Sequence, residues 1–306
     1  MRILLALDGS EPADRARDLV ASLPWPTGSP VRAVAALEAS PNLFGGSWIA
    51  VRPSDAAAYE EEACERLEAV LADAAGHLAA PGRTVETELL RGSPAMAIVE
   101  ESRHWKPDLI VIGSRGQGAL DSTLLGSVSG SVVDHARCPV LVARKASASS
   151  VLFAADGSAA SRAAQDLLET WGIFRSMPVE VLGVVDLAAP WRTGIGPTMF
   201  DAAMEVYAEL IADERRSHEE VVSTAARDLT TAGITADSVV REGSPRDEIV
   251  AEVRERGVDL VVMGSRGHAG ISRLFIGSVA HHVLLHAPSS VLIVRERQGG
   301  PEGSPA

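Results

Sequence analysis

The 306-residue sequence predicts two tandem doubly wound α/β domains, each a five-stranded parallel sheet flanked by helices. Three observations carry that expectation. The chain repeats itself at a nearly constant offset, short runs rich in Val, Ile and Leu alternate with longer amphipathic stretches, and the length exceeds the roughly 100–200 residues usual for one domain. Apolar residues at 46% and charged residues at 23% are the composition of an ordinary globular protein. Aromatics make up only 4%, so aliphatic side chains must fill the interior.

The repeat is the first element to justify. ILLALDGS at Ile3 to Ser10 returns as VLFAADGS at Val151 to Ser158, 148 residues on. RGSP at Arg91 to Pro94 returns as EGSP at Glu242 to Pro245, and PDLIVIGSRG from Pro107 as VDLVVMGSRG from Val258, both 151 residues on. LLGSV at Leu124 to Val128 matches FIGSV at Phe275 to Val279, and His135 matches His286. The small change of offset belongs in surface loops. Ala143 to Ser150, polar and small, is a linker short enough to keep the halves in contact. The expected domains are therefore 1–145 and 149–297, with 298–306 a Gly- and Pro-rich frayed tail.

The strands of the first half are expected at 2–7, 31–37, 84–90, 108–113 and 139–143, and those of the second at 150–155, 179–186, 237–241, 259–264 and 290–295. Helices fill the gaps. Ser10 and Ser158 are placed to cap the first helix of each half, and Ser93 and Ser244 precede Pro94 and Pro245 at first-turn positions. Open sheets with this connectivity bind ligands beyond the carboxyl ends of their strands, where the strand order reverses. Motifs at those ends are the first functional candidates.

One such motif occurs twice. After the fourth strand come Gly113-Ser114-Arg115-Gly116, nine residues, then Gly126-Ser127 opening a helix; the second half has Gly264-Ser265-Arg266-Gly267, nine residues, then Gly277-Ser278. The pattern is G-x2-G-x9-G-[ST]. Glycines let backbone N–H groups approach phosphate oxygens, and a Ser hydroxyl with a helix N-terminus adds donors and a favourable dipole. A single Gly would equally serve to end a strand and turn the chain. Arg115 and Arg266 lie inside the loop, where a guanidinium either folds over a phosphate or points to solvent.

On these residues both halves resemble universal stress protein domains of the ATP-binding type, and the whole resembles the tandem members of that family. The resemblance covers residues 1–296. It implies an adenine nucleotide α hydrolase-like fold with strand order 3-2-1-4-5 and one ATP site per domain. The glycine motif would hold ribose and phosphates, and an Asp ending the first strand, here Asp8 and Asp156, would contact the nucleotide. Asp-Gly-Ser is also a turn followed by a helix cap, and the two roles are compatible. Ala36 and Ile112 in the first half, and Val184 and Met263 in the second, match the adenine-flanking positions; without the resemblance each reads as core. The helix after the motif continues Val128-Ser129 in one copy and Val279-Ala280 in the other, so at that last position a hydroxyl able to donate to phosphate is present in the first half alone.

Composition excludes several classes. A net charge of −13 disfavours nucleic acid and anionic membrane as partners. The opening apolar run Ile3 to Leu7 is too short for a signal-peptide core, and with two cysteines, Cys64 and Cys138, giving no disulfide framework the expected compartment is the cytoplasm. No Walker-type Gly-Lys-[Ser/Thr] is present, the first strand lacks the Ser-Gly-Gly-x-Asp-Ser loop of ATP pyrophosphatases, and the third strand ends in Leu89-Leu90-Arg91 where a receiver domain would carry its phosphoacceptor Asp. His135, His286 and the His281-His282 pair read as helix-end and surface residues, and Glu60 to Glu62 with Glu214, Glu219 and Glu220 as solvated helix faces. Loops after the second strands, Ser40 to Pro53 with Trp48 and Ala188 to Pro197 with Trp191, read as protein-contact segments. The expected function is ATP-dependent regulation in a stress response, with Mg²⁺ on the phosphates and little or no turnover; a slow ATPase using Asp8 and Asp156, or a nucleotide-independent scaffold, are the alternatives. The resemblance implies pairing through the fifth strands, so the apolar last strands, Val140 to Ala143 and Val291 to Val294, are expected to pair the two halves within the chain, with further association building a homodimer.

Overall fold

The computed structural model describes residues 1–38, 53–116, 125–186, 200–267 and 276–296, without the side chains of 53–57, 200–208 and 210. The loops around Trp48 and Trp191 and the 298–306 tail lie outside the described residues. The first half runs β1 (Ile3–Ala6), α1 (Glu11–Ser22), β2 (Val31–Leu37), α2 (Pro53–Leu78), β3 (Val85–Arg91), α3 (Pro94–Trp105), β4 (Leu109–Gly113), α4 (Ser127–His135) and β5 (Val140–Ala143). The second runs β6 (Val151–Ala154), α5 (Ala159–Thr170), a 3₁₀ turn at Gly172–Phe174, β7 (Val179–Val185), α6 (Phe200–Thr231), β8 (Ala236–Glu242), α7 (Pro245–Arg256), β9 (Leu260–Gly264), α8 (Ser278–His286) and β10 (Ser290–Val294). Every expected strand is present to within one residue at either end.

The ten strands form one sheet in the order β3-β2-β1-β4-β5-β10-β9-β6-β7-β8. Each half is parallel and has the 3-2-1-4-5 order. The halves meet where β5 and β10 pair antiparallel, with Val142 opposite Val291, Leu141 opposite Leu292 and Val140 opposite Ile293. The fifth strands thus satisfy each other within one chain. The edges left over are β3 and β8, whose exposed charges such as Glu86, Glu88, Asp237 and Glu242 discourage further strand pairing.

Helices cover both faces, so the central strands can be apolar at every position rather than alternating. α1, α2, α5 and α6 pack on one face over Leu5, Val111, Phe153 and Val262, while α3, α4, α7 and α8 pack on the other over Leu4, Ile110, Leu152 and Val261. The joint is tied symmetrically. Arg295, after β10, donates from one Nη to the carbonyls of Val133 and Asp134 at 2.6 Å each, at the carboxyl end of α4. Arg144, its counterpart after β5, donates to Leu284 near the end of α8. Each arginine therefore caps a helix of the other half, where a cation suits the helix dipole. Burial lowers both arginines from their ordinary values, with Arg115 adding to the effect on Arg144 and Arg266 to that on Arg295.

Candidate functional site

The site begins where β1 and β6 end. Asp8-Gly9-Ser10 turns the chain into α1, and Asp156-Gly157-Ser158 turns it into α5. Gly9 has φ +77 and Gly157 φ +73, a left-handed backbone that costs a residue with a Cβ. Asp8 Oδ1 accepts from the Ser10 N–H at 3.0 Å and from its hydroxyl at 2.6 Å, and Asp156 Oδ1 accepts from the Ser158 N–H at 2.9 Å. Ser10 Oγ in turn accepts from the Ala13 N–H at 3.4 Å, and Ser158 Oγ from that of Ser161 at 3.2 Å. The expected caps are in place. Ser93 and Ser244 hold the N-cap positions of α3 and α7 but make no side-chain cap bond; Pro94 and Pro245 fix the first turn there.

One carboxylate oxygen of each Asp is thus used by its turn, and the other faces the glycine loop. A Cβ on Gly116 would lie 2.4 Å from Asp8 Oδ2, and one on Gly267 2.6 Å from Asp156 Oδ2. Carboxylate and loop backbone are therefore adjacent in both halves, which is the placement the motif requires.

The remaining glycines have other reasons to be glycine. A Cβ on Gly113 would lie 2.6 Å from the backbone carbon of Pro12, and one on Gly264 2.7 Å from that of Ala160. These two let the fourth strand of each half touch the backbone of the first helix. Gly126 and Gly277 close the loop instead: their N–H groups donate to the carbonyls of Ser114 at 2.9 Å and Ser265 at 2.7 Å. They are also the N-cap residues of α4 and α8, and as glycines they offer no side chain to cap the amides that follow. Among the described residues, the first N–H groups of α4, from Ser127, Val128 and Ser129, and of α8, from Ser278, Val279 and Ala280, have no helical acceptor and no side-chain cap. Ser129 Oγ is turned the other way, donating to the Gly113 carbonyl at 2.7 Å while 2% exposed, so it braces the strand end.

In the second half these parts surround a cavity of about 460 Å³. Asp156, Gly264, Arg266, Gly267, Gly277, Ser278 and Val279 line it, together with the apolar side chains of Leu182, Val184, Ile249 and Met263. Val184 is 9% and Met263 5% exposed, as expected of side chains that present one edge to a crevice. In the first half Ile112 is buried in the matching place and Ala36, smaller than Val184, is half-buried. All the residues expected from the sequence to form a site gather at the carboxyl edge of their own half.

Three further residues line the second-half cavity that the sequence alone does not single out: Asp186 after β7, and Glu214 and His218 on α6. Glu214 is exposed over 65% of its side chain, the solvated face expected, and also borders the cavity. The repeat does not find them, because His218 and Glu214 stand 151 residues beyond the apolar Leu67 and Ala63. His135 and His286 donate from Nδ1 to the carbonyl one turn back, at 2.8 and 2.9 Å. Among the described residues no group of three or more His, Cys, Asp or Glu side chains is arranged to hold a metal ion, and no helix is long and apolar enough to cross a membrane.

The comparisons agree with this architecture. A model of the universal stress protein family matches residues 1–144 and again 148–295. A universal stress protein of Mycolicibacterium smegmatis is 30% identical over 242 residues, covering 77% of this chain and 76% of that protein. Universal stress protein Rv2623 of Mycobacterium tuberculosis is 29% identical, covering 70% and 69%. One from Thermus aquaticus is 39% identical over 146 residues, 46% of this chain and 97% of its own, the proportion expected of a relative with a single copy. Among solved structures, a universal stress protein of Archaeoglobus fulgidus has the same fold, with a TM-score of 0.62 at 20% identity over 96% of this chain and 98% of that one. With the family matched once over each half and the repeated Asp, glycine loop and uncapped helix in the same places in both, the chain belongs to the universal stress protein family and holds two of its domains in tandem.

Proposed function

We propose that each half binds one adenine nucleotide, ATP with Mg²⁺, and that occupancy sets the conformation or partner choice of a cytoplasmic stress-response regulator. The observation that carries the reading is the second-half cavity, lined both by the glycine loop and the N-terminus of α8, which has no side-chain cap, and by apolar side chains. Phosphates need converging N–H donors and bases need apolar faces, and the cavity supplies both. Gly267, Gly277, Ser278 and Val279 take the phosphates and ribose with Arg266, and Val184 and Met263 take the adenine. Gly116, Gly126, Ser127 and Val128 with Arg115, and Ala36 with Ile112, do the same in the first half.

Mg²⁺ arrives on the nucleotide rather than on a resident ligand set, and the carboxylates of Asp8 and Asp156 beside the loops are the groups placed to meet it or its waters. The glycine loops fit such a ligand, since a Cβ at Gly116 or Gly267 would fill the space beside the carboxylate. Nucleotide-free association through the fifth strands has no edge to use, because β5 and β10 already pair within the chain. A homodimer would form through another surface.

Native mass spectrometry of the purified chain tests the reading. The expected result is mass added in steps of one and two Mg·ATP, lost on substituting Gly116→Ala and Gly267→Ala together. A parent protein that binds no adenine nucleotide when titrated with Mg·ATP overturns it.

A further inference from the structure

The two sites are built from the same backbone but not from the same wall. In the second half, α6 brings Glu214 and His218 to the cavity, with His218 only 21% exposed along its side chain. In the first half the corresponding positions of α2 are Ala63 and Leu67, and Leu67 is 6% exposed in the core. Room for the imidazole comes from the strand beneath it. A Cβ on Gly183 would lie 2.8 Å from Val222 Cγ1 and 3.6 Å from His218 Cβ, whereas the first half has Ala35 there.

The hydrogen-bonding polarity of this wall is fixed by its own contacts. His218 Nδ1 lies 3.0 Å from the Glu214 carbonyl oxygen, which accepts only, so Nδ1 carries a proton and Nε2 is the nitrogen that accepts in this tautomer of the ring. The Glu214 carboxylate, 3.7 Å from the same ring, is a second acceptor, and Asp186 supplies a third. These acceptors line the same cavity as Leu182, Val184 and Met263 and as the glycine loop. A base lying on those apolar side chains turns its outer edge toward acceptors, and the edge they favour carries a donor, such as an exocyclic amine.

Resting on the nucleotide reading above, we infer that Glu214 and His218 read the exocyclic amine of the base, so that the second site selects an amino-purine and the first, with Ala63 and Leu67, does not. A site whose acceptors meet that edge disfavours an analogue that presents an oxygen in place of the amine, because two acceptors then face each other. The discrimination expected from losing one such bond to a charged acceptor is roughly tenfold in affinity.

The experiment uses the full chain carrying Gly116→Ala, so that only the second site is filled, and compares ATP, inosine triphosphate and 2′-deoxy-ATP by calorimetry with Mg²⁺. ATP should bind roughly tenfold tighter than the inosine nucleotide and about equally with 2′-deoxy-ATP. Substituting His218→Leu with Glu214→Ala, the residues of the first half, should bring the ATP-to-inosine ratio to near one while the unfolding temperature shows the chain still folded. Equal binding of ATP and the inosine nucleotide, a ratio that survives the double substitution, or a loss confined to 2′-deoxy-ATP overturns the inference and leaves nucleotide binding standing. Absence of any nucleotide binding by the second site overturns both.

Discussion

The first and second halves differ most where charge is buried against the sheet. In the first half Arg32, on β2, bonds Glu86 at 2.6 Å and Glu101 at 2.6 Å and lies 5.0 Å from the ring centre of Trp105. In the second half the polarity is exchanged. The strand position of Arg32 is taken by Glu180, Trp105 by Arg256 and Leu90 by Arg241, while the helix glutamate is kept as Glu252, 1% exposed. Arg241 pairs with Glu248, Glu252 and Glu255, and Arg256 with Glu252 at 3.0 Å and Glu180 at 3.2 Å. Burial and the neighbouring Glu252 push the Glu180 carboxyl up to about 7, with Arg256 and Arg241 acting against the rise. The duplicated backbone tolerates either solution, since a buried helix carboxylate needs compensating cations but not from one particular neighbour. What stayed the same in both copies is the set of turns and glycines at the site.

The largest effects should fall on the shared parts. Gly264→Val drives a Cβ into the backbone of α5 and should cost about 3 kcal/mol, with Gly113→Val matching it to within about 1 kcal/mol; chemical denaturation of each variant checks the equivalence. A large difference would mean the two strand-to-helix contacts are not alike. Next comes the cluster unique to the second half. Arg241→Ala leaves Glu252 buried with Arg256 alone and should cost about 2 kcal/mol, below the ~3–5 for a fully buried pair because Arg256 remains.

Glu180 then separates the halves by pH. Its folded value lies above the ordinary 4.5, so the folded state holds more protons between about 4.5 and 7 and the stability from this group is lost as pH rises through that window. Glu180→Gln should raise the unfolding temperature at pH 8 and flatten its slope across the window. An unchanged slope would place the titration elsewhere. The smallest effect is Ser129→Ala, which removes one buried bond to Gly113 and should cost about 1 kcal/mol by denaturant unfolding.

The strands, and the gathering of the candidate residues at their carboxyl ends, were legible because they rest on local pattern: continuous apolar runs, Asp-Gly-Ser turns and a glycine motif whose spacing occurs twice; the strand order in each half came from the family resemblance those residues carry. Less legible was why each glycine is there. Gly113 and Gly264 look like phosphate-loop residues in sequence, yet they meet Pro12 and Ala160, about a hundred residues upstream in the chain, and only packing reveals such a contact. Ser129 reads as a phosphate donor until its hydroxyl is seen on the Gly113 carbonyl. Glu214 reads as a solvated helix face because its neighbours are charged; its place at the cavity depends on where α6 crosses the carboxyl edge of the sheet. The antiparallel β5 and β10 joint was one of two geometries that apolar last strands permit, and sequence patterning does not distinguish pairing within a chain from pairing between chains.

The central claim is that the repeat makes two nucleotide sites rather than one. Titration calorimetry with Mg·ATP counts them directly on the parent chain, on Gly116→Ala, on Gly267→Ala and on the double variant, each of which displaces an Asp carboxylate without touching helix packing. Two nucleotides per chain, falling to one in either single variant and none in the double, is the predicted result. A parent that binds none, or single variants that both keep the parent's stoichiometry, would contradict it.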